Sequence, residues 1–86
     1  MKHLVLYTIQ GCPYCANARN LLNSNKIDYE ERDITPDAFN MRDKLAKMSG
    51  GERTVPQVYI HGKYMGQDDE LQKLIESKRI YELLTL

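Results

Sequence analysis

The stretch Gly11-Cys12-Pro13-Tyr14-Cys15 constrains this chain more than any other. It follows a continuous apolar run, Leu4-Val5-Leu6-Tyr7, and opens a segment in which Cys15, Ala18, Leu21 and Leu22 share one helical face. The apolar run reads as a strand buried on both faces. The segment after it reads as a helix to about Asn25. Residues 29–34 supply a second, more polar strand, and a β-α-β unit of this kind is parallel and right-handed. Proline is favoured at the first helical position. With Pro13 there, Cys12 becomes the helix cap and Cys15 falls on the first turn.

The rest of the chain extends this unit. Thr35-Pro36-Asp37 predicts a helix start, with Thr35 as cap and Pro36 at the first helical position. Ala38, Met41, Leu45 and Met48 follow the spacing of an amphipathic helix, and Ser49-Gly50-Gly51 ends it. Val58-Tyr59-Ile60 predicts a strand, His61-Gly62 a turn, and Lys63 to Met65 its antiparallel partner. Asp68-Asp69-Glu70 opens another helix, with acids where the helix dipole favours them and Leu71, Leu74 and Ile75 as its buried stripe. Ile80 to Leu84 predicts a last short helix. The order implies an α/β chain with a four-stranded mixed sheet flanked by helices. No repeat or linker divides the 86 residues, so one domain over residues 1–86 is expected.

Charge and hydropathy remove several partners. The formal net charge is +0, which offers nucleic acid no basic face. No run approaches the roughly 20 apolar residues of a membrane span. MKHLVLYT carries no cleavage pattern of a signal peptide. A cytoplasmic location is expected, where thiols stay reduced and stable disulfides are rare.

A cap residue faces the free backbone N–H groups of the first turn. A sulfur there accepts hydrogen bonds at the positive end of the helix dipole. Both effects favour thiolate over thiol at Cys12. Cys15 leans back toward Cys12 from more apolar surroundings and is expected to remain a thiol. One cysteine is then a nucleophile and the other lies within reach to resolve a mixed disulfide. Three other uses of the pair are weaker. A disulfide brace across so short a loop removes little chain entropy. Structural zinc needs four ligands, and His3 and His61 are the only histidines, so no metal is expected. Two unreactive buried thiols are the third alternative. A Cys-x-x-Cys pair beside a β-α-β pattern is a redox signal.

Cys12-Pro13-Tyr14-Cys15 after an apolar strand resembles the dithiol glutaredoxins. Thr54-Val55-Pro56, followed by Gln57-Val58-Tyr59-Ile60, resembles their second signature, and Gly66 with Asp68-Asp69 resembles a degraded copy of the third. The resemblance covers essentially the whole chain. It implies a thioredoxin-like fold and a glutathione-dependent thiol–disulfide oxidoreductase, with Cys12 and Cys15 catalytic and able to form the redox-active disulfide. Glutaredoxin potentials of about −200 to −230 mV lie close to a cytosolic glutathione poise of about −220 to −260 mV, so such a site cycles freely. The partners implied are glutathione, glutathionylated or disulfide-containing proteins, and the cysteine pair of ribonucleotide reductase, met by a monomer.

The resemblance also implies a glutathione site. Val55-Pro56 is expected to be cis, with the Val55 backbone offered to the substrate as a short antiparallel strand. The γ-glutamyl end is expected at the start of the helix at Asp68, with its carboxylate on backbone N–H groups and its ammonium near Asp69. Arg42 and Arg53 are cationic candidates for the glycine end, and Tyr14 flanks the ligand. Thr54, Gly66 and Gln67 complete the set.

Two positions depart from the family pattern. Ile9 stands where many members carry Lys or Arg, and Gln67 stands where they carry a second glycine. Without gaps, Gln67 narrows the site and Asp68 adds an acid near the γ-glutamyl carboxylate. A compensated gap instead makes Asp68 and Asp69 the family pair. Two other functions stay open at this point: a redoxin reduced by a thioredoxin reductase, and an iron–sulfur cluster carrier.

Overall fold

The computed structural model describes residues 3–86. Its strands are β1 (Leu4–Thr8), β2 (Glu30–Asp33), β3 (Gln57–Ile60) and β4 (Lys63–Gly66). Its helices are α1 (Pro13–Ser24), α2 (Ala38–Ser49), α3 (Asp68–Glu76) and α4 (Arg79–Leu84). The strands form one sheet in the order β2-β1-β3-β4. β1 runs parallel to β2 and antiparallel to β3, and β3 and β4 form an antiparallel hairpin. This is the thioredoxin-like arrangement, and the sheet is mixed as the sequence implies.

Successive strand residues point to opposite faces, and the apolar run in β1 serves both. Leu4 and Leu6, with Val58 and Ile60 of β3, meet Ala18 and Leu22 of α1, Leu71 of α3 and Ile80 of α4. On the other face, Tyr7 and Tyr59 meet Leu45 of α2 and Ile34. The Tyr7 and Tyr59 rings pack edge to face with centroids 5.5 Å apart. Leu4, Leu6, Leu22, Leu45, Leu71 and Ile80 are fully buried, and burial of one such side chain contributes about 1.5–3 kcal/mol. An exposed ion pair such as Arg53–Asp43 contributes about 0–1 kcal/mol. The two-faced apolar layer therefore dominates the stability that positions α1.

Two expectations about α2 need correction. Thr35 does not cap it. Thr35-Pro36-Asp37 forms a separate 3-10 turn, and α2 begins at Ala38 with Asp37 at its cap position. Asp33 is the competing acceptor: it takes hydrogen bonds from both the Thr35 backbone N–H and the Thr35 hydroxyl. Those bonds hold the Asp33 carboxyl below its ordinary range. The apolar stripe of α2 is also shorter than its spacing suggests. Leu45 is buried and Met41 half-buried, but Met48 is 41% exposed. Gly50 then ends the helix in the left-handed conformation, as expected.

Gly66 closes β4 and turns the chain into α3 at φ +111°. A Cβ there would lie 2.5 Å from the Glu70 Cβ and 2.8 Å from its Oε1, the oxygen that accepts a hydrogen bond from the Gln67 N–H at 2.8 Å. Gly66→Ala should thus cost at least about 2 kcal/mol from backbone conformation and crowding together. Thermal unfolding followed by circular dichroism should show a melting temperature lower by roughly 10 °C. The same substitution in a Glu70→Gly background should cost less, since glycine removes the Cβ, Cγ and Oε1 that crowd the position and only the backbone conflict remains. An equal loss in both backgrounds would contradict this account.

Candidate active site

α1 begins where burial forces it to begin. Ala18 and Leu22 lock the helix onto the sheet, Pro13 occupies its first turn, and Cys12 is its cap in extended conformation. The Cys12 Sγ accepts a hydrogen bond from the Cys15 N–H at 3.1 Å. The preceding loop is tied down separately: the Gln10 N–H donates to the Thr35 hydroxyl at 2.9 Å. Both cysteines are free thiols, Cys12 partly exposed and Cys15 buried. Burial pushes the Cys15 thiol up to about 12; contact with Cys12 adds to the rise, while a backbone hydrogen bond at Ile9 and the charge of Arg19 oppose it. Ile9 offers no cation and packs, partly buried, beside the Tyr7 and Leu45 cluster.

The loop from Glu52 to Pro56 forms the facing wall. The Val55–Pro56 bond is cis, and the Val55 carbonyl oxygen lies 4.0 Å from the Cys12 Sγ. Buried Gln57 holds this loop. Its amide donates to the Glu52 carbonyl at 2.8 Å and to the Thr54 carbonyl at 3.0 Å, while its own oxygen accepts from the Tyr59 hydroxyl at 2.8 Å. From the opposite side, the Gln67 amide donates to the same Thr54 carbonyl at 3.1 Å and to the Thr54 hydroxyl at 2.6 Å. Thr54 in turn donates to Glu52 at 2.6 Å.

The start of α3 makes the third side, with Gln67 as its cap residue and Asp68 as its first helical residue. The Asp68 side chain does not face outward: it is only 7% exposed and accepts a hydrogen bond from the Asn17 amide of α1 at 3.0 Å. The extra acid expected near a ligand carboxylate is thereby turned inward, while Asp69 is exposed. Arg42 reaches the loop and donates to the Arg53 carbonyl at 3.2 Å. Arg53 itself pairs with Asp43. Tyr14 is 66% exposed beside Cys12.

The sequence reading passed over Gln57 and Asn17, which brace the two walls. For Gln57 a signal exists: an amide at the start of an otherwise apolar strand, directly after Val-Pro. For Asn17 there is none, since its partner lies 51 positions away. His3 and His61, set aside from the chemistry, do come together, with ring centroids 4.6 Å apart. They sit beside the Leu4–Ile60 pair, at the end of β1 away from the cysteines.

A dithiol of this geometry can take up and release a disulfide: a capped, partly exposed sulfur, a buried thiol one turn behind it, and the Val55 carbonyl of the cis-proline loop alongside. Comparison with known proteins agrees with this chemistry. A glutaredoxin family model matches residues 4–65. Glutaredoxin 1 of Rickettsia prowazekii is 36% identical over 81 residues, covering 94% of this chain and 85% of that protein. Glutaredoxin 3 of Escherichia coli is 36% identical over 74 residues, covering 86% and 87%. The crystal structure of a buckwheat glutaredoxin–glutathione complex superposes with a TM-score of 0.86 at 26% identity, covering 96% of this chain and 76% of that one. The chain belongs to the glutaredoxin family of thiol–disulfide oxidoreductases.

Proposed function

We propose that this protein uses glutathione to reduce protein–glutathione mixed disulfides and protein disulfides through Cys12 and Cys15. The observation that carries the reading is the Cys12 sulfur at the α1 cap, 4.0 Å from the Val55 carbonyl. A tripeptide with cysteine at its centre can lie along Val55 as a short strand and bring its own sulfur to Cys12. The complex of the buckwheat relative with glutathione supports this choice of ligand. Asp69 at the start of α3 and Arg42 beside the loop are the polar groups offered to its two ends, and exposed Tyr14 flanks it.

The steps balance without a further oxidant. The Cys12 thiolate attacks the glutathione sulfur of a mixed disulfide. The protein thiol leaves as thiolate and takes up a proton, and Cys12 is left glutathionylated. A second glutathione thiolate attacks that sulfur, releases glutathione disulfide and restores Cys12. With an intramolecular protein disulfide, Cys12 becomes linked to the substrate instead. Cys15 must then lose its proton and attack the Cys12 sulfur, freeing the reduced protein and leaving a Cys12–Cys15 disulfide. Two glutathione molecules reduce that bond. While Cys12 is a thiolate, burial and this neighbour keep Cys15 protonated. Once Cys12 is in a mixed disulfide, the neighbour's share of that effect is gone.

The basic test is turnover with glutathione, glutathione reductase, NADPH and a glutathionylated peptide; no turnover when every component is present overturns the reading. In that assay Cys15→Ser should retain or raise deglutathionylation, because the diversion into the intramolecular disulfide is removed. It should lose most reduction of a protein disulfide, where the neighbouring thiol acts at high effective concentration. Cys12→Ser should lose both by several orders of magnitude, as removal of a nucleophile does. Activity of Cys12→Ser combined with loss of deglutathionylation in Cys15→Ser would reverse the two roles.

The raised Cys15 value has a consequence of defined sign. A thiol whose proton is held by burial gains thiolate as pH rises toward its own range. Alkylation of Cys15 in Cys12→Ser should therefore be slow at neutral pH and accelerate about tenfold per pH unit well above the ordinary thiol range of about 8.5. Mass spectrometry of iodoacetamide-treated protein measures it. A rate that levels off within the ordinary range would show that burial does not govern this thiol.

A further inference from the structure

Gln67 does more than start α3. Both hydrogens of its side-chain amide are committed to Thr54, one to the carbonyl and one to the hydroxyl. Its backbone N–H is committed to Glu70. Rooted at the α3 cap and fastened to the residue before Val55, the side chain spans from the start of α3 to the loop that carries Val55. The first-turn N–H groups of a helix lack intrahelical partners and suit an anion. Here an amide whose two hydrogens are already taken runs from that turn to Thr54. Asp68 does not fill that space with a competing carboxylate, because Asn17 holds it inward. The obstacle is the Gln67 bridge.

We propose that Gln67 is a specificity-determining residue: its bridge to Thr54 closes the path to the first turn of α3, so that a substrate carboxylate reaches that turn only by displacing the amide. The site then discriminates against the γ-glutamyl end of glutathione and favours substrates that engage Val55 and Cys12 alone. This rests on the glutathione-dependent reading and names which part of the ligand that reading holds least well.

The test compares two mixed disulfides of one peptide thiol, one with glutathione and one with cysteinylglycine, which lacks the γ-glutamyl residue. Pre-reduced protein is mixed with each in stopped flow, giving an apparent dissociation constant and a limiting rate. Gln67→Ala, and Gln67→Asn, which keeps an amide but shortens its reach by one methylene, should tighten the glutathione disulfide relative to the cysteinylglycine disulfide. The expected shift in the ratio of dissociation constants is about fivefold, the worth of one net hydrogen bond near 1 kcal/mol, with limiting rates nearly level. An unchanged ratio, an equal shift for both disulfides, or weaker binding of the glutathione disulfide overturns the proposal. A wild-type protein that reacts with neither disulfide overturns the glutathione-dependent reading itself, and the two failures are thus distinguishable.

Discussion

The reactive atom of this protein is also the cap of a helix. The Cys12 sulfur receives the Cys15 N–H, and the helix that presents this donor is held by Ala18 and Leu22 in the core. Position and chemistry therefore have one cause. Loosening α1 from the sheet would move the sulfur and break the hydrogen bond it receives. The same burial shields Cys15, so the two thiols differ in character because one stands at the rim of the core and the other inside it.

The opposite wall adds amides to the apolar packing of Val55 and buried Pro56. The Thr54 carbonyl accepts from Gln57 on the core side and Gln67 on the α3 side. A loop without regular hydrogen bonding of its own is fixed by the two side chains that meet on one oxygen. Gln57 can afford full burial because each half of its amide has partners, including the Tyr59 hydroxyl. An unpaired amide in that place would be costly. The loop and the α1 cap are consequently anchored through independent sets of contacts, joined at the gap between Cys12 and Val55.

Much of this was legible in the sequence because it follows from periodicity and local chemistry. The apolar run of β1, the stripe led by Leu71 and the Pro13 position fix the elements and place Cys12 at a cap without long-range information. The Cys-Pro-Tyr-Cys and Thr-Val-Pro stretches marked the two walls. What could not be read depends on partners distant in the chain. Thr35 was expected to cap α2 on local pattern, but the Asp33 carboxylate is the better acceptor and takes both its donors. Met48 fits the spacing of a buried stripe but sits at the rim of an open hollow with Val5, Tyr7 and Tyr59, where it stays 41% exposed. Asp68 looked like an outward acid until Asn17, on another helix, turned it inward.

The composition of β2 bears on where this sheet can grow. β2 is an outer strand, and its residues are Glu30, Glu31, Arg32 and Asp33. Glu31 pairs with Arg19, and Arg32 pairs with Glu30. A foreign strand docking along that edge would have to strip water from this row of charges while offering little apolar contact in return. Unwanted edge-to-edge association is thus opposed on the β2 side, while the uncharged Val55 stays open beside Cys12. Growth of the sheet is barred by charge at β2, whereas the other outer strand, β4, carries Lys63 as its one charge.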